Sequence, residues 1–299
     1  MGLCDTTIAA KQSIEWHHSS FPIHHSSFTT RHSSLPIPYL YTQISFMAEA
    51  YVKSETHQGI TTIEFFHPQS NSLPGKILET LAQEIHFAGN HDETKVIILR
   101  SAGEKAFCAG ASFDELVAIQ TEAEGLKFFS GFAHVINAIR KCPKFIIGRI
   151  QGKCVGGGVG LAAAVDYAIA METSEVKLSE LAVGIGPFVV GPAVERKIGT
   201  SAFTQLSIDA TLWRNSDWAK RKGLFAETHA TVEGLDESVN RLANTLAHSS
   251  PEAMAEMKKA FWQGTDHWDE LLKQRAAISG RLVLSDFTRN AIEKFKAKK

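Results

Sequence analysis

Between Ile60 and Met171 the chain repeats one rhythm: a short apolar run, a polar turn, then apolar residues three to four positions apart. Ile60–Phe66 (ITTIEFF) reads as a strand, and Ile77, Leu78, Leu81 and Ile85 fall on one face of a helix over 74–88. The run 95–100 (KVIILR) is short and almost wholly apolar, as expected of a strand buried on both faces. A helix begins over 113–117, and 128–141 reads as an amphipathic helix stopped by Pro143. The segments 145–150, 161–165 and 167–171 follow as strand, helix and strand. Strands alternating with helices imply right-handed crossovers and a mostly parallel sheet, hence an α/β fold. Beyond Ser201 the pattern is helical to the end, in pieces separated by Gly223, Gly234 and Pro251. That part reads as a helical extension of the core.

Residues 1–46 have a different character. HHSSFPI, HHSSFTT and RHSSLPI recur at a spacing of seven from His17, and no helical or alternating apolar pattern runs through them. The segment reads as a disordered or spuriously translated extension, with Met47 as the natural start. A targeting peptide is the second reading and adventitious metal binding by its histidines the third. The expected division is 1–46 extension, 47–245 core, and 246–299 C-terminal helical region.

Composition narrows the function classes. A net charge of -1 speaks against a nucleic-acid or membrane-surface partner, which need a concentrated basic face. No apolar run approaches the roughly 18–20 residues of a membrane span. Cys4, Cys108, Cys142 and Cys154 lack any CxxC or paired spacing and read as free thiols in a reducing compartment. A cytoplasmic location is therefore expected, with an organelle matrix still open. The histidines lack ligand spacing, so no metal site is expected. Trp213, Trp218, Trp262 and Trp268 read as packing among helices.

Two glycine-rich loops follow strands: Phe107-Cys108-Ala109-Gly110-Ala111-Ser112-Phe113, and Gly152 to Gly160 (GKCVGGGVG). Small residues let a ligand approach the backbone, and a loop opening a helix presents unpaired N–H groups at a positive dipole end. One such N–H from each loop can converge on an oxygen that gains charge. The competing reading is a pair of tight turns with close helix–strand packing. Gly158-Val159-Gly160-Leu161-Ala162-Ala163 also fits the dinucleotide fingerprint GxGxxA. There the first glycine should follow the strand directly, and here Gln151–Val155 intervene.

The order FCAGASFDEL, then GGGVGLAAAVDYAIA, then LSELAVGI resembles the enoyl-CoA hydratase/isomerase (crotonase) superfamily, from about Tyr51 to the C-terminus. Asn71-Ser72-Leu73 and the closing basic Phe295–Lys299 also resemble that family. The resemblance implies a crotonase-like spiral of ββα turns with a C-terminal helical trimerisation region, assembled as a homotrimer or homohexamer. It implies an acyl-CoA thioester substrate, with coenzyme A entering as part of the substrate and no separate cofactor. By position, the N–H groups of Ala111 and Gly157 would be the oxyanion donors. Ala109, Gly110, Ser112, Phe113, Asp114 and Gly156 would line the acyl-CoA channel. Glu180 would be the proton-transfer residue.

One departure matters. Relatives that hydrate enoyl-CoA carry two glutamates, and the first falls where this chain has Gly160. A lone carboxylate suffices for a Δ3-to-Δ2 double-bond shift, so isomerisation is favoured slightly over hydration. Asp114 or Glu115 keeps hydration open. A CoA-thioester hydrolase or C–C lyase, or an inactive acyl-CoA-binding subunit, are the alternatives. Glu180 has its own plain reading, a surface acid capping a helix or pairing with Arg196 or Lys197. The terminal lysines read as a solvated tail, or as cations that reach CoA phosphates.

Overall fold

The computed structural model describes residues 49–296, with side chains to Lys294; the readings of residues 1–46 and of the basic terminus lie outside the described residues. Strands β1 (Tyr51–His57) and β2 (Ile60–Phe66) form an antiparallel hairpin. Its turn residues Gln58 and Gly59 both have positive φ, which suits a two-residue turn between twisted strands. Helix α1 (Gly75–Asn90) leads to β3 (Val96–Ser101) and the short β4 (Ala106–Cys108), then to α2 (Phe113–Ala118) and α3 (Glu122–Lys141). The next turn is β5 (Phe145–Ile150), β6 (Lys153–Val155) and α4 (Gly157–Ala164). The third is β7 (Tyr167–Met171), β8 (Glu175–Lys177), a 3-10 turn at Glu180–Val183 and α5 (Gly191–Ile208).

Each turn contributes one strand to each of two sheets. The larger runs β1-β2-β3-β5-β7-β10 and the smaller β4-β6-β8-β9, with β9 (Arg214–Asn215) and β10 (Glu227–His229) added after α5. From β2 to β10 the large sheet is parallel, and β4, β6 and β8 are parallel in the small one. This is the expected spiral of ββα turns. The chain finishes with α6 (Ser216–Arg221), which lies between β9 and β10, then α7 (Val232–Ala247), α8 (Pro251–Phe261), α9 (Trp268–Leu282) and α10 (Asp286–Lys296).

All six residues of β5 are buried, because apolar clusters cover both faces of the sheet. One face packs on α1, α3, α4 and α5 and the other on Leu235, Val239 and Ala243 of α7. Full burial of such a side chain contributes about 1.5–3 kcal/mol. Lys258 of α8, 2% exposed, meets Asp166 at 2.6 Å, and the same carboxylate accepts from the Ile146 N–H at 2.8 Å. A buried, hydrogen-bonded ion pair thereby ties α8 to the sheet.

Several expectations need correction. The exposed, polar β1 was not anticipated; as an edge strand with five of seven residues exposed it carries no apolar period. The strands β4, β6, β8, β9 and β10 are too short to show one. The C-terminal part is not purely helical, since β10 pairs with β7 in the large sheet. Gly234 lies inside α7 rather than between helices, whereas Pro251 opens α8 and Gly223, at φ 83°, ends α6. Helix α3 starts at Glu122 because Thr121 and Glu124 form a capping box. Helix α4 starts at Gly157, four residues before the expected start, because packing overrides the low helix propensity of its glycines.

Candidate active site

The loop after β4 is fastened to the segment that precedes α1. Leu73 N–H donates to Gly110 O at 2.7 Å and Ser112 N–H to Leu73 O at 3.0 Å, so Ala111 sits in an isolated parallel bridge. In that pattern the N–H of Ala111 points away from Leu73. Among the described residues it meets no acceptor. Asn71 braces the loop's base: its amide donates to Ala102 O and Ala106 O at 2.8 and 2.9 Å, and its backbone O accepts from Ala109 N–H at 3.2 Å. Ser112 caps α2 through the Glu115 N–H, and Phe113 starts that helix.

The second loop comes close to the first. Gly110, at φ 91°, lies so near it that an added Cβ would be 3.1 Å from Val155 O and 3.7 Å from Gly157 N. Gly156, at φ 51°, donates its N–H to Lys177 O at 2.9 Å. Gly157 opens α4, so its N–H has no partner within the helix and none elsewhere among the described residues. A Cβ on Gly157 would overlap the Phe132 ring, and one on Gly158 the Cys108 carbonyl. On Gly160 it would be 2.5 Å from Val190 Cγ1.

Glu180 begins the 3-10 turn after β8, where positive-φ Gly184 ends the turn. Its carboxyl lies on Gly156: a Cβ there would be 2.9 Å from Glu180 Oε1. The residue as a whole is half-buried, yet its Oε2 is shut off from solvent and has no hydrogen-bond partner among the described residues. Burial pushes its pKa up to about 7, partly offset by its own backbone N–H. The pairing alternatives do not hold. Lys197 donates to Val165 O and Asp166 O, and Arg196 lies over the Trp262 ring.

A cleft of about 990 Å³ unites these groups. It is lined by Ala109, Gly110, Ala111, Phe113, Asp114, Gly156, Gly157 and Glu180 from the expected set. Ser112 is buried beneath it as the cap of α2 rather than on its wall. Phe128, Phe129 and Phe132 of α3, with Val189 and Val190, make an apolar wall that sequence reasoning did not assign. The period of α3 marked a buried face but gave no sign of what that face meets. Neither first-loop acid approaches Glu180 as a settled partner. Glu115 accepts from Gly75 N–H at 2.8 Å, and exposed Asp114 accepts from Gln69 at 2.9 Å. Trp262 and Trp268 pack edge to face as expected, but Trp213 precedes a strand and presents its ring to Lys153 and Lys177. No helix among the described residues is long and apolar enough to cross a membrane.

Comparison with known proteins places the chain in a family. The family model for enoyl-CoA hydratase/isomerase matches residues 55–297. The (7aS)-7a-methyl-1,5-dioxo-2,3,5,6,7,7a-hexahydro-1H-indene-carboxyl-CoA hydrolase of Rhodococcus jostii is 31% identical over 208 residues, 68% of this chain and 77% of that protein. Human mitochondrial methylglutaconyl-CoA hydratase is 29% identical over 200 residues, 66% of this chain and 58% of that protein. The crystal structure of an enoyl-CoA hydratase from Bacillus halodurans, 22% identical, superposes with a TM-score of 0.76. That match covers 82% of this chain and 99% of the other, and it speaks for the fold. Since the family match takes in both loops, the Glu180 turn and the C-terminal helices, the chain belongs to the enoyl-CoA hydratase/isomerase family.

Proposed function

We propose that the protein is an acyl-CoA enzyme that shifts a double bond from the Δ3 to the Δ2 position, with Glu180 as its single proton carrier. The observation that carries this reading is the Glu180 carboxyl, buried and unpartnered at Oε2 and packed on Gly156 beside two amides without acceptors. The ionised carboxyl takes a proton from the α carbon of a 3-enoyl thioester. The C–H electron pair becomes the new bond of an enolate, and charge moves onto the thioester oxygen. The N–H groups of Ala111 and Gly157 stabilise that charge, aided by the positive end of α4. Losing one donor of such a pair typically costs about 3–4 kcal/mol of barrier. Glu180 then returns the proton to the γ carbon as the electrons flow back, leaving the conjugated double bond. No water is consumed, and the carboxyl is regenerated. A pKa near 7 lets one group act as base and then acid at neutral pH.

Isomerisation is preferred to hydration because the second acid has no place to stand. Gly160 carries no side chain, and Val190 fills the space a Cβ there would need. Coenzyme A enters as part of the substrate, and no separate cofactor takes part. A second reading, hydrolysis on the same enolate platform, draws on the relatives from Rhodococcus and Mycobacterium tuberculosis that are named as carboxyl-CoA hydrolases. The reading includes a homotrimer or homohexamer, supported by exposed Ile208, Leu212 and Phe287 and tested by sedimentation velocity.

The direct test feeds purified protein 3-enoyl-CoA and 2-enoyl-CoA separately. Ultraviolet absorbance of the conjugated thioester should rise with the first and hold steady with the second. Glu180→Gln should lower the rate by about 10²–10⁴-fold while still binding acyl-CoA. Loss of absorbance from the 2-enoyl substrate at a comparable rate would sink the preference for isomerisation.

A further inference from the structure

One cation on the cleft wall has no part in the proton transfer. Lys177 ends β8, and its register partner Val155 also lines the cleft. Pairing of Val176 with Arg214 places Trp213 next to Lys177 along the sheet. The Lys177 Nζ lies 4.3 Å from the centre of the Trp213 ring, and the Lys153 Nζ lies 4.5 Å from the same centre. Lys153 has a counter-ion, Glu175, at 3.1 Å. Among the described residues Lys177 has no acceptor at hydrogen-bond or ion-pair distance beyond the indole face. Two ammonium groups thus share one ring and one carboxylate, leaving a net positive charge beside the cleft. Burial and the neighbouring Lys153 hold the Lys177 pKa below its ordinary value, against the pull of Glu175. A half-buried cation with a like charge nearby and no carboxylate in direct contact is an arrangement that a bound anion relieves. The indole face holds the ammonium in place by its quadrupole while leaving its donors free.

We propose that Lys177, positioned by Trp213 and backed by Lys153, binds an anionic group of the bound thioester and sets substrate preference. This rests on the acyl-CoA reading above. Two parts of such a ligand carry the right charge: a phosphate of the CoA moiety, or a carboxylate at the far end of the acyl chain. Both would displace water from the same ammonium, and a charge-assisted bond at a partly buried lysine favours the anionic ligand.

Titration calorimetry at low salt separates the sources without requiring turnover. The probes are butyryl-CoA, glutaryl-CoA and S-butyrylpantetheine, tested on wild type, Lys177→Met and Lys177→Arg. If the anion is an acyl carboxylate, Lys177→Met weakens glutaryl-CoA on the order of tenfold and leaves the other two unchanged. If it is a CoA phosphate, both CoA thioesters weaken by that factor and the pantetheine thioester does not. Lys177→Arg keeps the charge and should retain most of the affinity, and added salt should narrow every difference. Wild-type affinity of Lys177→Met for all three probes overturns this proposal and leaves the acyl-CoA reading standing. Failure of the wild-type protein to bind any probe sinks the acyl-CoA reading, and this proposal with it.

Discussion

The loop from Cys108 to Phe113 is held by hydrogen bonds from its neighbours, whereas the loop from Gly156 to Gly160 is held by the lack of side chains. In the first, Asn71, Ser72 and Leu73 supply the partners, and Ala111 keeps a methyl group, partly buried against the apolar core. In the second, Phe132, the Cys108 carbonyl and Val190 occupy the space where side chains would begin. Both leave one amide free for a ligand. A polar brace of this kind can be weakened step by step, since each hydrogen bond contributes modestly. A steric fit fails abruptly, because cores resist added volume.

That contrast sets an order of expected effects. Gly158→Ala should be the most severe, destabilising the fold by about 3 kcal/mol, because backbone rather than a flexible side chain blocks the new methyl. Urea denaturation measures it; a loss under 1 kcal/mol would break the steric account of the second loop.

Glu180→Gln tests what the second loop carries. Burial raises the folded pKa to about 7 against an ordinary carboxyl value of 4.5, so between those values the folded state binds more protons than the unfolded one. Wild-type stability should therefore fall as pH rises from 4.5 to 7 and then level off. Above pH 7 the Gln variant should be more stable by on the order of 2–3 kcal/mol, a gap that closes toward pH 4.5. Denaturation across that range reads it. The base must be ionised to start the reaction, so kcat/KM should rise through about pH 7 in the wild type.

Asn71→Ala should cost about 2 kcal/mol by stranding the Ala102 carbonyl and the His67 N–H, while Ala106 O keeps only its bond from Gln151, and should lower kcat more than it raises KM as Ala111 drifts. Ser72→Ala should be the mildest, at about 1 kcal/mol, because only its 2.8 Å bond to Ala111 O is lost. If Ser72→Ala proves as damaging as Gly158→Ala, the distinction between a graded brace and an abrupt fit disappears.

The periodic segments were legible from the chain alone: β2, α1, β3, β5 and β7 carry enough apolar residues to declare their type. The motifs also singled out Ala111, Gly157 and Glu180, through the family resemblance that three short signatures in order carry. Other features left no trace in local pattern. Lys177 and Trp213 lie 36 positions apart, counted as 213 minus 177, and meet only because β8 pairs with β9. Val190 closing the space over Gly160 likewise depends on α5 packing against α4.

By itself, then, the sequence determined where strands and helices recur and which small residues and which acid could do chemistry. The elements depend on side chains a few positions apart, within reach of local periodicity, whereas the site residues follow from the resemblance of three short motifs to a known family. Only the tertiary structure decided that the two loops share a cleft and that Glu180 loses its solvent there. Desolvation and the approach of two amides depend on residues far apart in the chain, and no local pattern encodes them.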